Sequence, residues 1–178
     1  PIGFTYATAN CTQTIYHGIS VDNCCTSTLL PSFVGTSTSN AGFAGPLRLL
    51  NSFTITSGTA FFNGEFMLAP NVSITVEQGA QMNVIGAHFY ACTDMWNGIV
   101  VNSGGKVLMQ QYNGVDNLIE DAITAVAIHS YTNSTVPVLD VSNTIFNKNY
   151  IDVDIKNYTQ TTADPFRFAS TIFSCRNY

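Results

Sequence analysis

Apolar and polar residues alternate with a period of two along much of the chain, and the alternating segments themselves recur. In "ITVEQGAQMNV" (74–84), Ile74, Val76, Met82 and Val84 fall on one side of an extended chain, and Thr75, Glu77, Gln81 and Asn83 on the other. The pattern returns as "IVVNSGGKVLM" (99–109). Ile74 matches Ile99, Val76 matches Val101, Gly79 matches Gly104, Met82 matches Val107 and Val84 matches Met109, each pair 25 residues apart. The predicted unit is a strand, a corner opened by glycine, a second strand and a variable connection. Two helices with their turns do not fit that period.

The theme continues with insertions. "AVAI" (125–128) and "IDVDI" (151–155) set Val126 against Ile151 and Ile128 against Val153, again 25 apart. "VLDVSNTIFN" (138–147) aligns with "PFRFASTIFS" (165–174) at an offset of 27, pairing Leu139 with Phe166, Val141 with Phe168, Ile145 with Ile172 and Phe146 with Phe173. The extra residues fall in "SYTNSTVP" (130–137), whose composition is that of a projecting loop.

A unit of ~25 residues cannot bury its own apolar side and must stack on its neighbours. The expected fold is all-β: a right-handed parallel β-helix, the hand favoured by parallel crossovers. Equivalent positions then form ladders ~4.8 Å apart up the interior. An antiparallel sandwich is the simpler alternative, but it gives no reason for a fixed offset. Residues 1–50 do not repeat and read as an irregular N-terminal cap or lead-in; the coils are expected over 51–178, the first near "FTITSGTAFF" (53–62). The end at "IFSCRNY", in mid-coil and without a polar cap, marks the chain as an expected excerpt of a longer protein with flanking domains.

Composition narrows the function classes. Charged residues are only 10% of the 178 residues, against ~25% in typical domains. The 12 Phe and 8 Tyr exclude a disordered chain. A net charge of −5, with six basic residues scattered from Arg48 to Arg176, argues against a nucleic-acid partner. No apolar run approaches the ~20 residues of a bilayer span, so membrane insertion is not expected. Of five cysteines, Cys11 could close a short loop to Cys24 or Cys25, as in an oxidising compartment, while Cys92 and Cys175 read as buried free thiols.

The stretch "ACTDMWNGIVV" (91–101), then "GGKVLM" and "LIEDAITAVAI" (118–128), resembles the pectin-lyase-like parallel β-helix segments of bacterial surface proteins exported by the type IX route. The matching residues are Cys92, Met95, Trp96, Gly98, Ile99, Gly104, Gly105, Ile119, Glu120, Asp121 and Ala122, within roughly residues 70–130. The resemblance implies a secreted or cell-surface location and an adhesive or cell-surface role, most such segments having no assigned reaction.

The strongest enzymatic candidates are Asp152 and Asp154, at i and i+2 on one strand face, ~6.8 Å apart along the backbone. Paired carboxylates at ~5–9.5 Å serve glycosidases, so a polysaccharide lyase or hydrolase is the alternative function. Both aspartates are expected to face solvent, however, where a carboxylate is a poor general acid. Calcium at the same stripe, with Val100, Asn102 or Ala127 alongside, is too poor in oxygen ligands. An ice-binding face would need a regular outward Thr ladder, which Thr75, Val100 and Asp152 do not make. His88 and Cys92, at i and i+4, would converge on a metal only on a helix, and this segment reads as strand. No phosphate loop, nucleophile elbow or Cys-x-x-Cys pair occurs, and neither a metal nor a cofactor is expected. Glu120 and Asp121, with Asp116 nearby, read as a structural corner whose carboxylates bond backbone N–H groups. Trp96 is expected to anchor the core rather than stack on a sugar. Tyr90, Tyr112, Tyr131, Tyr150 and Tyr158 fall in or beside predicted loops, and Tyr112, Tyr131 and Tyr150 are the candidate ligand-binding residues. The expected role is therefore non-catalytic: an adhesive or spacer scaffold whose loops contact a polysaccharide or cell-surface glycan.

Overall fold

The computed structural model describes residues 4–8, 11–15, 32, 35–130, 137–157 and 164–175, with the side chains of 4–15 and of Cys175 outside that description. Every described element is a strand. An N-terminal hairpin pairs β1 (Phe4–Thr8) with β2 (Cys11–Ile15) antiparallel. The other strands stack in parallel in two sheets. The first sheet has six short strands: β3 (Gly35–Ser37), β6 (Phe53–Ile55), β8 (Ser73–Val76), β10 (Gly98–Val101), β13 (Thr124–Ile128) and β15 (Ile151–Ile155). The second has eight: β4 (Ala41–Ala44), β5 (Leu47–Leu49), β7 (Gly58–Leu68), β9 (Ala80–Ala91), β11 (Lys106–Gln110), β12 (Asn117–Glu120), β14 (Leu139–Asn149) and β16 (Phe166–Cys175). Each turn of the chain lays one short strand in the first sheet and one long strand, whole or broken in two, in the second. This is a parallel β-solenoid.

The predicted rungs are present. Ile74 pairs with Ile99 and Val76 with Val101 in the first sheet, and Met82 pairs with Val107 and Val84 with Met109 in the second. All eight side chains are buried. Leu139–Phe166, Val141–Phe168, Ile145–Ile172 and Phe146–Phe173 also pair as expected. The spacing is not constant, however. Successive partners are 18 residues apart at Gly35–Phe53, 21 at Phe53–Ile74, 25 at Ile74–Ile99, and 27 at both Ile99–Val126 and Val126–Val153. Val126 therefore meets Val153, and Ile128 meets Ile155, instead of the residues two earlier. The longer connections of the later coils take up the difference. A slip of two keeps the same face inward, so Val153 and Ile155 still pack against the core.

The stack also starts earlier than residue 51. Residues 35–49 supply β3, β4 and β5, paired in parallel with β6 and β7. They were hidden because their coil is short and breaks the alternating pattern: β3 is Gly-Thr-Ser, and the second-sheet strand, which supplies Phe43, Leu47 and Leu49 to the core, is interrupted at Gly45-Pro46.

In-register stacking places like side chains over one another. Phe43 lies over Phe62 with ring centroids 4.9 Å apart, Phe66 over Phe89 at 4.8 Å and Phe146 over Phe173 at 5.2 Å. These separations are favourable for offset rings and follow from the strand repeat. Trp96 is fully buried, 6.1 Å from Phe89, and its indole N–H donates to the Glu120 carbonyl at 2.8 Å. It is the core anchor that was expected.

Buried asparagines close the corners where the ladder is interrupted. Asn117 accepts from the Ala87 N–H at 3.0 Å and donates to the Gln110 carbonyl and to Thr144 Oγ1, both at 3.1 Å. Asn149 accepts from the Ala122 N–H at 2.9 Å and donates to the Ile119 carbonyl at 2.9 Å. Each amide bridges adjoining coils and supplies partners to backbone groups that would otherwise be buried unpaired. Gly98 marks the tightest approach: φ is +102°, and a methyl group there would lie 1.6 Å from the Thr124 carbonyl oxygen.

Cys92 corrects the free-thiol expectation, because it is disulfide-bonded. It lies just beyond β9, where its N–H donates to the Leu68 carbonyl at 3.1 Å, and is only partly buried. The expected Cys11 bridge to Cys24 or Cys25 falls on side chains outside the described residues.

Two outcomes test the stack. Ile99→Ala should destabilise the protein by about 2–5 kcal/mol in urea denaturation, whereas Thr75→Ala, on the outward face of the neighbouring strand, should change it by no more than about 0.5 kcal/mol. Reduction of the disulfide, or Cys92→Ser, should cost about 2–5 kcal/mol, read as a lower thermal midpoint.

Candidate functional site

Most of the solenoid wall is flat, because each coil copies the one below it. The exception among the described residues is the coil of β11 and β12. Where β9 runs unbroken from Ala80 to Ala91, this coil stops at Gln110, projects a loop and resumes at Asn117. The sequence Tyr112-Asn113-Gly114-Val115 folds as a two-residue hairpin turn. Tyr112 and Val115 exchange backbone hydrogen bonds of 3.0 and 2.9 Å, while Asn113 and Gly114 take φ of +50° and +80°. Asn-Gly is the pair that such a turn selects.

The hairpin lies against the outer wall at Gly86. A Cβ at that position would meet the Tyr112 Cβ at 3.0 Å and the Val115 carbonyl oxygen at 3.3 Å, with φ already at +61°. Glycine is what lets the loop seat this closely. Between the hairpin and the wall is a groove of about 390 Å³, lined by Asn63, Gly64, Glu65, Gly86, Ala87, His88, Tyr112, Asn113, Val115 and Asp116. Tyr112 is 49% exposed and Val115 56%, so the loop presents an aromatic ring and an aliphatic face to solvent beside carboxylates and amides.

A hydrogen-bonded cluster adjoins the groove. Strand stacking brings His88, Glu120, Asn147 and Ser174 together from successive coils. His88 Nε2 lies 2.8 Å from Glu120 Oε2, Asn147 Nδ2 donates to Glu120 Oε1 at 2.5 Å, and Ser174 Oγ donates to Asn147 Oδ1 at 2.7 Å. Lys148 Nζ adds an ion pair with Glu120 Oε1 at 3.4 Å. The hydrogen bond from His88 is the largest cause, and with the Asn147 hydrogen bond and the electrostatic contributions of His88 and Lys148 it outweighs burial and holds the Glu120 carboxyl below its ordinary value. Tyr90, 4.7 Å from the His88 ring, is shifted the other way: burial, and then the charge of Glu65, push its hydroxyl up to about 12.

These facts revise several expectations. Glu120 bonds side chains across coils, not the backbone N–H groups of its own corner. His88 has a partner, but it is Glu120, 32 residues on, and not Cys92. Tyr90 is a strand residue only 8% exposed, whereas Tyr112 and Tyr150 (68%) are open to solvent. Only Tyr112 borders the groove; Tyr131 and Tyr158 lie outside the described residues. Asp152 and Asp154 share the outward face of β15, as the alternation requires, but both are engaged: Asn149 Nδ2 donates to Asp152 Oδ1 at 2.9 Å, and Lys156 Nζ lies 3.2 Å from Asp154 Oδ2. Neither borders the groove. The Asp154 stripe continues through Ala127, Val100 and Thr75, and no three His, Cys, Asp or Glu side chains among the described residues are grouped to hold a metal.

A second depression, about 540 Å³, crosses β11, β14 and β16 and contains the Arg167–Asp140 ion pair at 3.4 Å. It has no inserted loop, and part of its lining, Phe168, is a core-ladder residue left open on the last coil.

The Glu120 cluster sets a pH dependence. Because its carboxyl titrates lower in the folded chain than in the unfolded one, its contribution is fully present above the unfolded value and is lost as pH falls through the folded one. Acid titration of stability should therefore show a downward slope below pH 4.5 that is shallower in Glu120→Gln.

Compared with known protein families, with curated proteins and with solved structures, the chain has no match in any of the three, so what it does is argued from its own geometry.

Proposed function

We propose that this solenoid is a non-catalytic scaffold of a secreted or cell-surface protein, and that it binds a glycan in the groove beneath the Tyr112–Val115 hairpin. The carrying observation is that groove: an exposed aromatic ring in one lining with the amides of Asn63 and Asn113 and the carboxylates of Glu65 and Asp116, formed where one coil departs from the repeat. Sugars offer C–H faces and hydroxyls together, and this lining has counterparts for both. Insertions in a repeat array commonly carry its binding function. The disulfide at Cys92 favours an oxidising compartment. The match of Cys92, Met95, Trp96, Gly98 and Gly104 to type IX-exported, pectin-lyase-like surface segments points the same way. On this reading the rigid, in-register stack is itself useful, as a spacer that holds the groove at a fixed orientation.

The lyase or hydrolase alternative has less support. It requires Asp152 and Asp154 to act as acid and base, yet one is hydrogen-bonded to Asn149 and the other paired with Lys156.

A glycan array followed by calorimetry tests the proposal. At least one polymer should bind without turnover, Tyr112→Ala should weaken it by about tenfold, and the Asp152→Asn, Asp154→Asn double variant should bind as the parent does. Release of sugar products that disappears in the double variant would establish the enzyme instead.

A further inference from the structure

The charge around the groove points to a ligand class, an inference that rests on the glycan-binding reading above. Its titratable lining residues are Glu65, Asp116 and His88; neither lysine nor arginine is among its lining residues. The cation nearest in the hydrogen-bonded cluster, Lys148, is paired with Glu120, and His88 Nε2 is directed to the same carboxylate. Asp116 has one oxygen occupied, Oδ1 accepting from Gln111 Nε2 at 2.9 Å. Glu65 has an oxygen, Oε2, with no hydrogen-bond partner among the described residues. The Glu65 carboxylate, with that oxygen shut off from water and from any hydrogen-bond donor among the described residues, adds negative charge beside the groove, and a cationic ligand group is favoured there.

The same lining is also aromatic. Tyr112 presents a half-exposed ring within the same lining as both carboxylates. Aromatic faces attract cations as well as C–H bonds, so ring and carboxylates favour the same ligand charge. A uronic acid or sulfated sugar would meet two like charges with no compensating cation in the lining.

We propose that the groove recognises an amino sugar with a free, protonated amine, its ring face on Tyr112 and its ammonium group directed to Glu65 and Asp116. The partner is then a deacetylated hexosamine polymer or a surface glycan bearing such units.

Calorimetry with three oligosaccharides of equal length, a glucosamine oligomer, its N-acetylated form and a cellulose oligomer, tests this at low and high salt. The glucosamine oligomer should bind about tenfold more tightly than the other two, as expected from one cation–π contact plus screened ion pairs. The preference should shrink at high salt. Glu65→Gln and Asp116→Asn should each reduce the ratio of the glucosamine affinity to the N-acetylated affinity. Acetylating the ligand removes the charge without altering the protein, so the result does not depend on the variants folding. If all three oligomers bind equally and all weaken in Tyr112→Ala, the amine inference fails and the glycan reading survives. If none binds, both fail. If the amine preference persists in both carboxylate variants, the ammonium is read elsewhere and the proposal is overturned. If trilysine displaces the glucosamine oligomer with equal affinity, the groove reads cationic groups in general and the assignment to a sugar is overturned.

Discussion

The structure depends on one interaction, the parallel hydrogen-bonded stacking of each coil on the previous one. A single coil has an apolar face it cannot cover and strand edges it cannot pair; the next coil supplies both at once. Ile74, Ile99 and Val126 are buried because each forms part of the surface against which its neighbours pack. The same translation sets the aromatic stacks at 4.8–5.2 Å and brings asparagine amides within reach of the corner above or below. Stability in such an array is nearly a sum of coil and interface terms, so damage to one rung is felt first by its neighbours.

That regularity explains where chemistry can occur. A strictly repeated wall offers the same shallow surface at each level, and its polar residues tend to satisfy one another along the stack. Asn102 donates to Glu77, one coil below, and Asn147 donates to Glu120 in the same manner. Asp152 and Asp154 are engaged within their own coil: they have a spacing suited to catalysis, but Asn149 and Lys156, three and two residues away, hold them. The groove with an exposed aromatic ring arises where the copy fails. The Tyr112–Val115 hairpin is such a failure, and glycine at position 86 is what allows the inserted loop to lie down on the wall rather than stand away from it.

β16, the outermost strand of this sheet among the described residues, shows the same constraint from the other side. Phe168 and Phe173 pair in register with the buried Val141 and Phe146 yet are 42% and 51% exposed, because no further rung among the described residues lies over them. The side chains are of the same kind as those at the centre of the stack. Position in the array, and not residue type, decides their burial.

The sequence by itself determined the fold class, the inward and outward faces and most of the rungs, because a period of two and a repeated offset are local properties that any one coil displays. It determined the core role of Trp96 for the same reason. It could not determine the register where coils change length, which is why Val126 meets Val153 and why the short, interrupted coil of β3 to β5 was not legible. The groove and the His88–Glu120 cluster were beyond it altogether. His88 pairs in register with Leu118, 30 residues on instead of 25 because of the inserted hairpin, and Glu120 lies two further along the strand, so the 32-residue contact matches no repeat in the chain. Tyr112 was legible as a loop tyrosine, but its place in one groove with Glu65, from another coil, was not. Only stacking decides which residues become neighbours across coils, and stacking depends on the length of every connection in between.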